Sequence, residues 1–159
     1  MQIRPTTEQD WQALKTIRLA SLLDAPLAFG MSYDETAQFS DALWRERASP
    51  LSQPNFWLAW DGEVAVGIVG GVETQGEYQL ISLWVAPTAR GKGVAEQLVL
   101  AVVDKARAIR HHEVVLSVAP ENLPASKLYR RLGFKFLDHT EVLDSHPEVT
   151  VQKMVLVLG

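Results

Sequence analysis

The sequence predicts an α/β fold with a mixed, largely antiparallel central sheet flanked by helices, its elements running β-α-α-β-β-β-α-β-α-β-β. Three observations lead there. Apolar, β-branched runs cover residues 55–60, 63–73 and 78–86, and the first two are joined by Asp61-Gly62, a pair that favours a tight hairpin turn. A long helical period over residues 93–110 then feeds the apolar run EVVLSVA at 113–119, a strand-helix-strand unit whose strands are parallel. Finally, Pro5, Pro26, Pro87 and Gly133 fall at the ends of the patterned segments, where they stop elements rather than break them.

The elements follow in order. Residues 2–4 form a short strand stopped by Pro5, and Thr7 with Asp10 three residues on marks a helix start. Trp11, Leu14, Ile17 or Arg18, and Leu22 recur at helical spacing until Pro26. Residues 27–39 show no clear period and read as loop. Ser40 caps a second helix carrying Leu43, Trp44 and Arg47. After the three antiparallel strands, Val94, Leu98, Ala101 or Val102, and Lys105 or Ala106 mark the long helix. Pro124 opens a last short helix with Leu128 and Leu132 on one face and Gly133 just past its end. Strands near residues 134–140 and 149–158 complete the chain.

Composition narrows the function. The chain has 159 residues, enough for one sizeable core, and no internal repeat or linker divides it, so a single domain over 1–159 is expected. Hydrophobic residues make up 47% and charged residues 21%, which sets the chain apart from disordered sequences. The 15 Lys and Arg against 19 Asp and Glu give a net charge of −4, so no global positive field favours nucleic acid or an anionic membrane. An anionic ligand must be held locally. The absence of Cys removes disulfides, thiolate metal sites and a cysteine nucleophile. The first residues lack the apolar core of a signal peptide and no run approaches the ~18 apolar residues of a membrane span, so a cytoplasmic location is expected.

One segment carries an anion-binding pattern. Arg90-Gly91-Lys92-Gly93-Val94-Ala95 lies between a buried strand and a helix start, where the first helical N–H groups have no internal partner. Gly91 and Gly93 let a phosphate approach the backbone, the helix dipole adds partial positive charge, and Arg90 and Lys92 add full charges. The same six residues also fit a solvated glycine-rich turn. A P-loop is excluded because no Gly stands four residues before Gly-Lys, and a dinucleotide turn because Glu96 stands where its third glycine belongs.

On these residues the chain resembles the GNAT superfamily, the Gcn5-related N-acetyltransferases. The family fingerprint Q/R-x-x-G-x-G/A is matched by Arg90, Gly93 and Ala95, directly after a strand ending in Val85-Ala86-Pro87. A second segment, Asn122-Leu123-Pro124-Ala125-Ser126-Lys127-Leu128-Tyr129 followed by Gly133-Phe134, is similar to the family's N-x-x-A-x-x-L-Y-x-x-x-G-F. Together the two motifs and the strands between them span roughly residues 55–140.

The resemblance implies acetyl-CoA as acyl donor, held where the third strand of the hairpin series and the EVVLSVA strand diverge. Pantetheine would pair with backbone around Leu83, Trp84 and Val85, and the pyrophosphate would lie on Arg90 to Ala95. It implies that Asn122 and, more weakly, Ser126 bind the cofactor arm, and that Tyr129 protonates the leaving thiolate. The backbone N–H near Val85 would receive the developing oxyanion. It implies a carboxylate base near the middle strands, for which Glu73 and Glu77 are the candidates at the strand margins, with water as the other option. The segment before the second helix would form the acceptor pocket, nominating Phe29, Tyr33, Asp34 and Glu35, whose acids suit a cationic amine. The expected reaction is direct acetyl transfer to a primary amine of a small molecule or peptide, without a metal. A non-catalytic acyl-CoA sensor that keeps the same site is the alternative. Family members often dimerise, and the strongly apolar strand 149–158, read as an edge, suggests a homodimer. The Trp residues read as core. His111 and His112 read as solvated loop residues rather than metal ligands.

Overall fold

The computed structural model describes residues 1–26, 28–29, 31–143 and 146–159. Leu27 and Gly30 of the segment read as loop lie outside the described residues. Seven strands form one sheet in the order β1-β2-β3-β4-β5-β7-β6, comprising β1 (Gln2–Pro5), β2 (Asn55–Asp61), β3 (Val64–Thr74), β4 (Glu77–Val85), β5 (Glu113–Val118), β6 (Lys135–Val142) and β7 (Thr150–Val157). All neighbours are antiparallel except β4 and β5. Among the described residues five α-helices flank the sheet: α1 (Trp11–Asp24), α2 (Tyr33–Ala37), α3 (Asp41–Ala48), α4 (Val94–Ala108) and α5 (Leu123–Arg131).

Local chemistry explains the boundaries. Thr7 and Asp10 cap each other reciprocally, with the Thr7 N–H donating to Asp10 Oδ2 at 2.8 Å, so the chain enters α1 at a fixed angle. Helix α2 was read as loop. Its start is set by Ser32, whose hydroxyl accepts from the Glu35 N–H at 3.2 Å, a Ser-x-x-Glu pattern that the absence of apolar periodicity concealed.

The sheet buries both faces. On one, Val94, Leu98, Val102 and Ala106 of α4 pack on Tyr78, Leu80, Val114 and Leu116. On the other, Leu14, Ile17 and Leu22 of α1 and Trp44 and Ala48 of α3 cover Phe56, Leu58, Ile68 and Trp84.

Strand β4 changes its facing part-way along. Ile68 of β3 opposes Trp84 while Gly70 opposes Ile81, so β4 carries an extra residue at this point. Ser82 absorbs it with a φ of 61°, a left-handed value rare for a residue with a side chain. As a result Tyr78 and Leu80 face α4 before the bulge and Leu83 and Val85 face it afterwards, whereas Trp84 turns to the α1 side.

The C-terminal strand corrects one expectation. Strand β7 is not an edge, since β5 pairs with it on one side and β6 on the other. Its apolar residues Val151 and Met154 are buried within the chain, and the edge falls to β6, whose residues are mostly exposed. The long apolar strand is therefore explained by two-sided pairing rather than by a second copy.

Candidate active site

The parallel ladder between β4 and β5 is confined to Tyr78 with Val114 and Gln79 with Val115. Beyond these pairs the strands splay, leaving β4 paired only to β3 and β5 only to β7. Backbone groups that a ladder would satisfy thus face an open wedge. Gly67 and Val85 oppose one another, and the Ala86 N–H donates to the Val66 carbonyl at 2.8 Å, which makes 67 and 85 a non-hydrogen-bonded pair. The Val85 N–H consequently points away from β3, toward the wedge.

The turn from Arg90 to Ala95 sits at the α4 end of this wedge. Gly93 is the N-cap of α4 and, like Gly91, has a φ of 78°, a conformation open to glycine at little cost. No side chain caps the helix, so its first N–H groups remain available to a ligand. A Cβ placed on either glycine would meet nothing within 4 Å. The glycines therefore serve backbone conformation and an unobstructed approach rather than packing. The adjoining pocket, of about 190 Å³, is lined by Val85, Arg90, Gly91, Gly93, Leu128 and Arg131, among others. Val94 is buried in the core and, with Ala95 and Glu96, also lines the pocket.

Charge around the turn is arranged in two ways. Arg90 is a brace: its Nε donates to the Val85 carbonyl at 2.9 Å and its head meets Asp24 Oδ2 at 2.9 Å. Asp24, at the end of α1, also accepts from the Trp84 indole at 2.9 Å. The Trp84 hydrogen bond first, then that from Arg90, holds the Asp24 carboxyl below its ordinary range. One carboxylate thereby ties α1, β4 and the turn together. Glu96 in the first turn of α4 is 3.8 Å from Arg131 in the last turn of α5, which offsets an acid that would otherwise oppose an anion. Arg131 was not singled out from the sequence, since nothing there places the end of α5 against the start of α4. Lys92 is exposed and forms no ion pair among the described residues.

On the α1 face, over the same wedge, lies a cleft of about 380 Å³. Phe29 and Arg18 form one wall, Gln79, Ile81 and Ser82 of β4 with Ser117 of β5 form the floor, and Glu141 belongs to the β6 wall. Of the four residues nominated for an acceptor pocket, Phe29 lines this cleft. Tyr33, Asp34 and Glu35 do not line the cleft: Asp34 and Glu35 are exposed acids in the first turn of α2, and Tyr33 packs against the α1-side core. Arg18 and Glu141 also line the cleft, and the sequence pattern nominates neither. The only hint of Arg18 was its place on the apolar stripe of α1, four residues after Leu14.

The two acids expected as bases separate. Glu73 lies beside the α4-side core, where His111 Nε2 is 2.7 Å from its Oε1 and the His111 ring stacks on Tyr78 at 5.5 Å. This corrects the solvated reading of His111. Glu77 faces the opposite side, and Lys153 Nζ donates to its Oε2 at 2.7 Å. A neighbouring trough of about 280 Å³ holds Glu77, Gln79, Ser117, His139 and Glu141.

Helix α5 carries the second motif. Asn122 is its N-cap, accepting from the Ala125 N–H at 3.4 Å, and Ser126 is buried with its hydroxyl donating to the Leu123 carbonyl at 3.3 Å. Tyr129 is 6% exposed, edge-on to Phe134 at a ring separation of 5.7 Å. No group hydrogen-bonds its hydroxyl among the described residues, and burial pushes its phenol well above the ordinary tyrosine value. Leu83, Trp84 and Val85 form the wedge-side end of β4. Among the described residues no cluster of His, Asp and Glu could hold a metal ion, and no helix is long and apolar enough to cross a membrane.

Comparison with known proteins identifies this assembly. The family model described as Acetyltransferase (GNAT) family matches residues 17–134. The chain is 38% identical over 86 residues to N-acetyltransferase 8B of Homo sapiens, covering 50% of this chain and 38% of the human protein. It thus spans about two fifths of that relative's length. It is 28% identical over 138 residues to the L-methionine sulfoximine/L-methionine sulfone acetyltransferase of Pseudomonas aeruginosa, covering 76% of this chain and 80% of that one. Among solved structures, NAA60 of Arabidopsis thaliana in complex with acetyl-CoA superposes with a TM-score of 0.72 at 18% identity, over 99% of this chain and 98% of that one. The match runs from the middle of α1 through the glycine turn before α4 to the end of the α5 motif, and the chain belongs to the GNAT acetyltransferase family.

Proposed function

We propose that the chain transfers the acetyl group of acetyl-CoA to a primary amine of a small molecule or peptide, by direct attack in a ternary complex. The observation that carries this reading is the continuity of the wedge between β4 and β5. At one end it meets a helix N-terminus with two left-handed glycines, and on the α1 face it opens into a cleft large enough for a small acceptor. Acetyl-CoA supplies a thioester: the amine nitrogen bonds to the acetyl carbon, the C–S bond breaks with its electron pair on sulfur, and one proton leaves nitrogen while one reaches sulfur.

The chain's own groups fit those needs. The turn from Arg90 through Ala95 holds the diphosphate, with Lys92 and Arg131 adding charge and Arg90 keeping the turn in shape. Backbone around Leu83 to Val85 meets the amides of the pantetheine arm, and the Val85 N–H is the oxyanion donor. Asn122 and Ser126 fix the start of α5, which carries Tyr129, the donor of the proton to sulfur. Glu141 is the base, directly or through water, because it is the carboxylate lining the acceptor cleft. Glu77, already paired to Lys153, and Glu73, on the other face, suit that role less well.

A cytoplasmic setting fits a chain without cysteine. Pairing of two copies would draw on the exposed Leu137, Val142 and Val157 at the β6 and β7 margin, and light scattering across the micromolar range tests it. The activity is tested by incubating the protein with acetyl-CoA and a panel of amines while following free thiol. A protein that binds acetyl-CoA in calorimetry and releases no thiol with any amine is a sensor instead.

A further inference from the structure

The acceptor cleft contains a charge the transfer reaction does not use. Arg18 projects from the buried face of α1 and is 7% exposed, yet no carboxylate pairs with it among the described residues. Of the five N–H donors of a guanidinium, one reaches the Ser21 hydroxyl at 3.3 Å, and the group stands 4.9 Å from the centre of the Phe29 ring. Arg18 lines both the acceptor cleft and a smaller adjoining cavity of about 120 Å³, the two being continuous in their shared residues Met31, Ile81 and Ser82. The smaller cavity is also lined by Arg47, whose Nε is buried without a partner and whose head lies 4.9 Å from the Phe39 ring.

Arg18 in the cleft and Arg47 in the adjoining cavity, with no acid paired to either among the described residues, destabilise each other, and the buried Arg18 lacks the solvation water would give. Burial first, and then Arg47, lowers the Arg18 guanidinium to about 10, which leaves it charged at neutral pH. A structural arginine in such a place is normally paired, because an unpaired buried charge is costly. An anion entering the cleft would meet a desolvated, planar donor set of the kind that binds carboxylates through two parallel hydrogen bonds.

The opposite wall has the opposite sign. Helix α1 packs over β3, whereas β6 is the far edge of the sheet, so the wedge between β4 and β5 lies between Arg18 and Glu141. The cleft is polarised, cationic toward α1 and anionic toward β6. The acids Asp34 and Glu35, which from sequence suited a purely cationic amine, stand outside it.

We propose that the acceptor is an amino acid or a close analogue, carrying a free carboxylate beside its amine, and that Arg18 with Arg47 holds the carboxylate while the amine faces the wedge. This rests on the acetyl-transfer reading for its catalytic consequence, but the binding it describes is independent of turnover.

The test compares standard amino acids with their α-amides as acceptors, following thiol release, and compares their N-acetyl derivatives for protection against thermal unfolding. For the preferred side chain, kcat/KM for the acid should exceed that for the amide at least about tenfold. Arg18→Met keeps the side-chain length and should reduce kcat/KM for the acid about 30-fold or more, leaving the amide within about threefold and the KM for acetyl-CoA unchanged. Arg18→Lys, which retains charge without the planar fork, should recover part of the loss. In the thermal arm the N-acetyl acid should raise the Tm of the wild type and not of Arg18→Met, and the N-acetyl amide should raise neither.

Equal use of acids and amides, or a preference for acids that survives Arg18→Met, would overturn the proposal and leave acetyl transfer standing. If no amine is turned over, the thermal arm decides: protection by the acid that depends on Arg18 upholds the carboxylate site and counts against the transfer reaction alone. Absence of protection by every N-acetyl amino acid then overturns the site.

Discussion

Replacing Tyr129 with Phe separates chemistry from packing, because the surroundings of the hydroxyl make the structural cost calculable. The ring is buried and meets Phe134 edge-on at 5.7 Å, a contact that Phe retains. The hydroxyl has no hydrogen-bond partner among the described residues, so its removal breaks no intramolecular bond and leaves no buried partner unsatisfied. Stability should therefore change by no more than about 0.5 kcal/mol, or rise slightly. Burial raises the phenol above its ordinary value of 10.0, so it remains protonated throughout the working pH range and is always able to donate. Loss of a general acid costs about 10²-fold at the low end of such effects. The expected result is a fall of about 10² in kcat, about 2.7 kcal/mol, with acetyl-CoA affinity within about twofold of wild type. Thiol release at saturating substrates, with single-turnover kinetics to show that chemistry limits the rate, provides the measurement. A fall smaller than about threefold would assign Tyr129 to packing and leave water as the proton source.

Three further outcomes follow from the same geometry. Gly93→Asp forces a side chain into a backbone with φ of 78° and sets a negative charge at the helix start, so calorimetric affinity for acetyl-CoA should fall at least about tenfold, about 1.4 kcal/mol; an unchanged Kd in a folded variant would exclude the turn as the anion site. Glu141→Gln removes a carboxylate lining the cleft, and kcat at neutral pH should drop about 10²-fold with the fold unchanged, while a fall smaller than about threefold would give the base role to water. Tyr78 is fully buried with an unpartnered hydroxyl, and burial, then Glu73, raises its phenol from 10.0 to about 12. Since the folded value is the higher, its contribution is complete below pH 10.0 and is lost as the pH rises toward about 12. Urea unfolding across that window should show stability declining less steeply in Tyr78→Phe, and parallel curves for the two proteins would refute the assignment.

Local pattern determined most of the architecture. Apolar, β-branched strand runs, the Asp61-Gly62 turn and the long period of α4 are each written within a few adjacent residues, and so were readable without a partner segment. The glycine turn ahead of α4 was readable for the same reason, since its left-handed backbone depends on two glycines and the helix they precede. Helix α2 escaped because five residues are too few to express a helical period, although its Ser32 cap was visible in retrospect.

What the tertiary structure decided was everything that depends on two distant segments meeting. The bulge at Ser82 depends on the register between β3 and β4, and it alone sends Trp84 to Asp24, 60 positions away. Whether strand 150–157 is an edge depends on where β6 returns, and no periodicity within β7 encodes that. Glu73 and Glu77 sit four positions apart and end on opposite faces because the hairpin between them reverses the chain. Arg18 and Glu141, 123 positions apart, define opposite walls of one cleft only after α1 and β6 have docked on the sheet. Local sequence carries the chemistry that neighbouring residues can perform together; the charge lining the cleft is a property of side chains from distant segments, buried Arg18 and exposed Glu141, that only folding brings to one space.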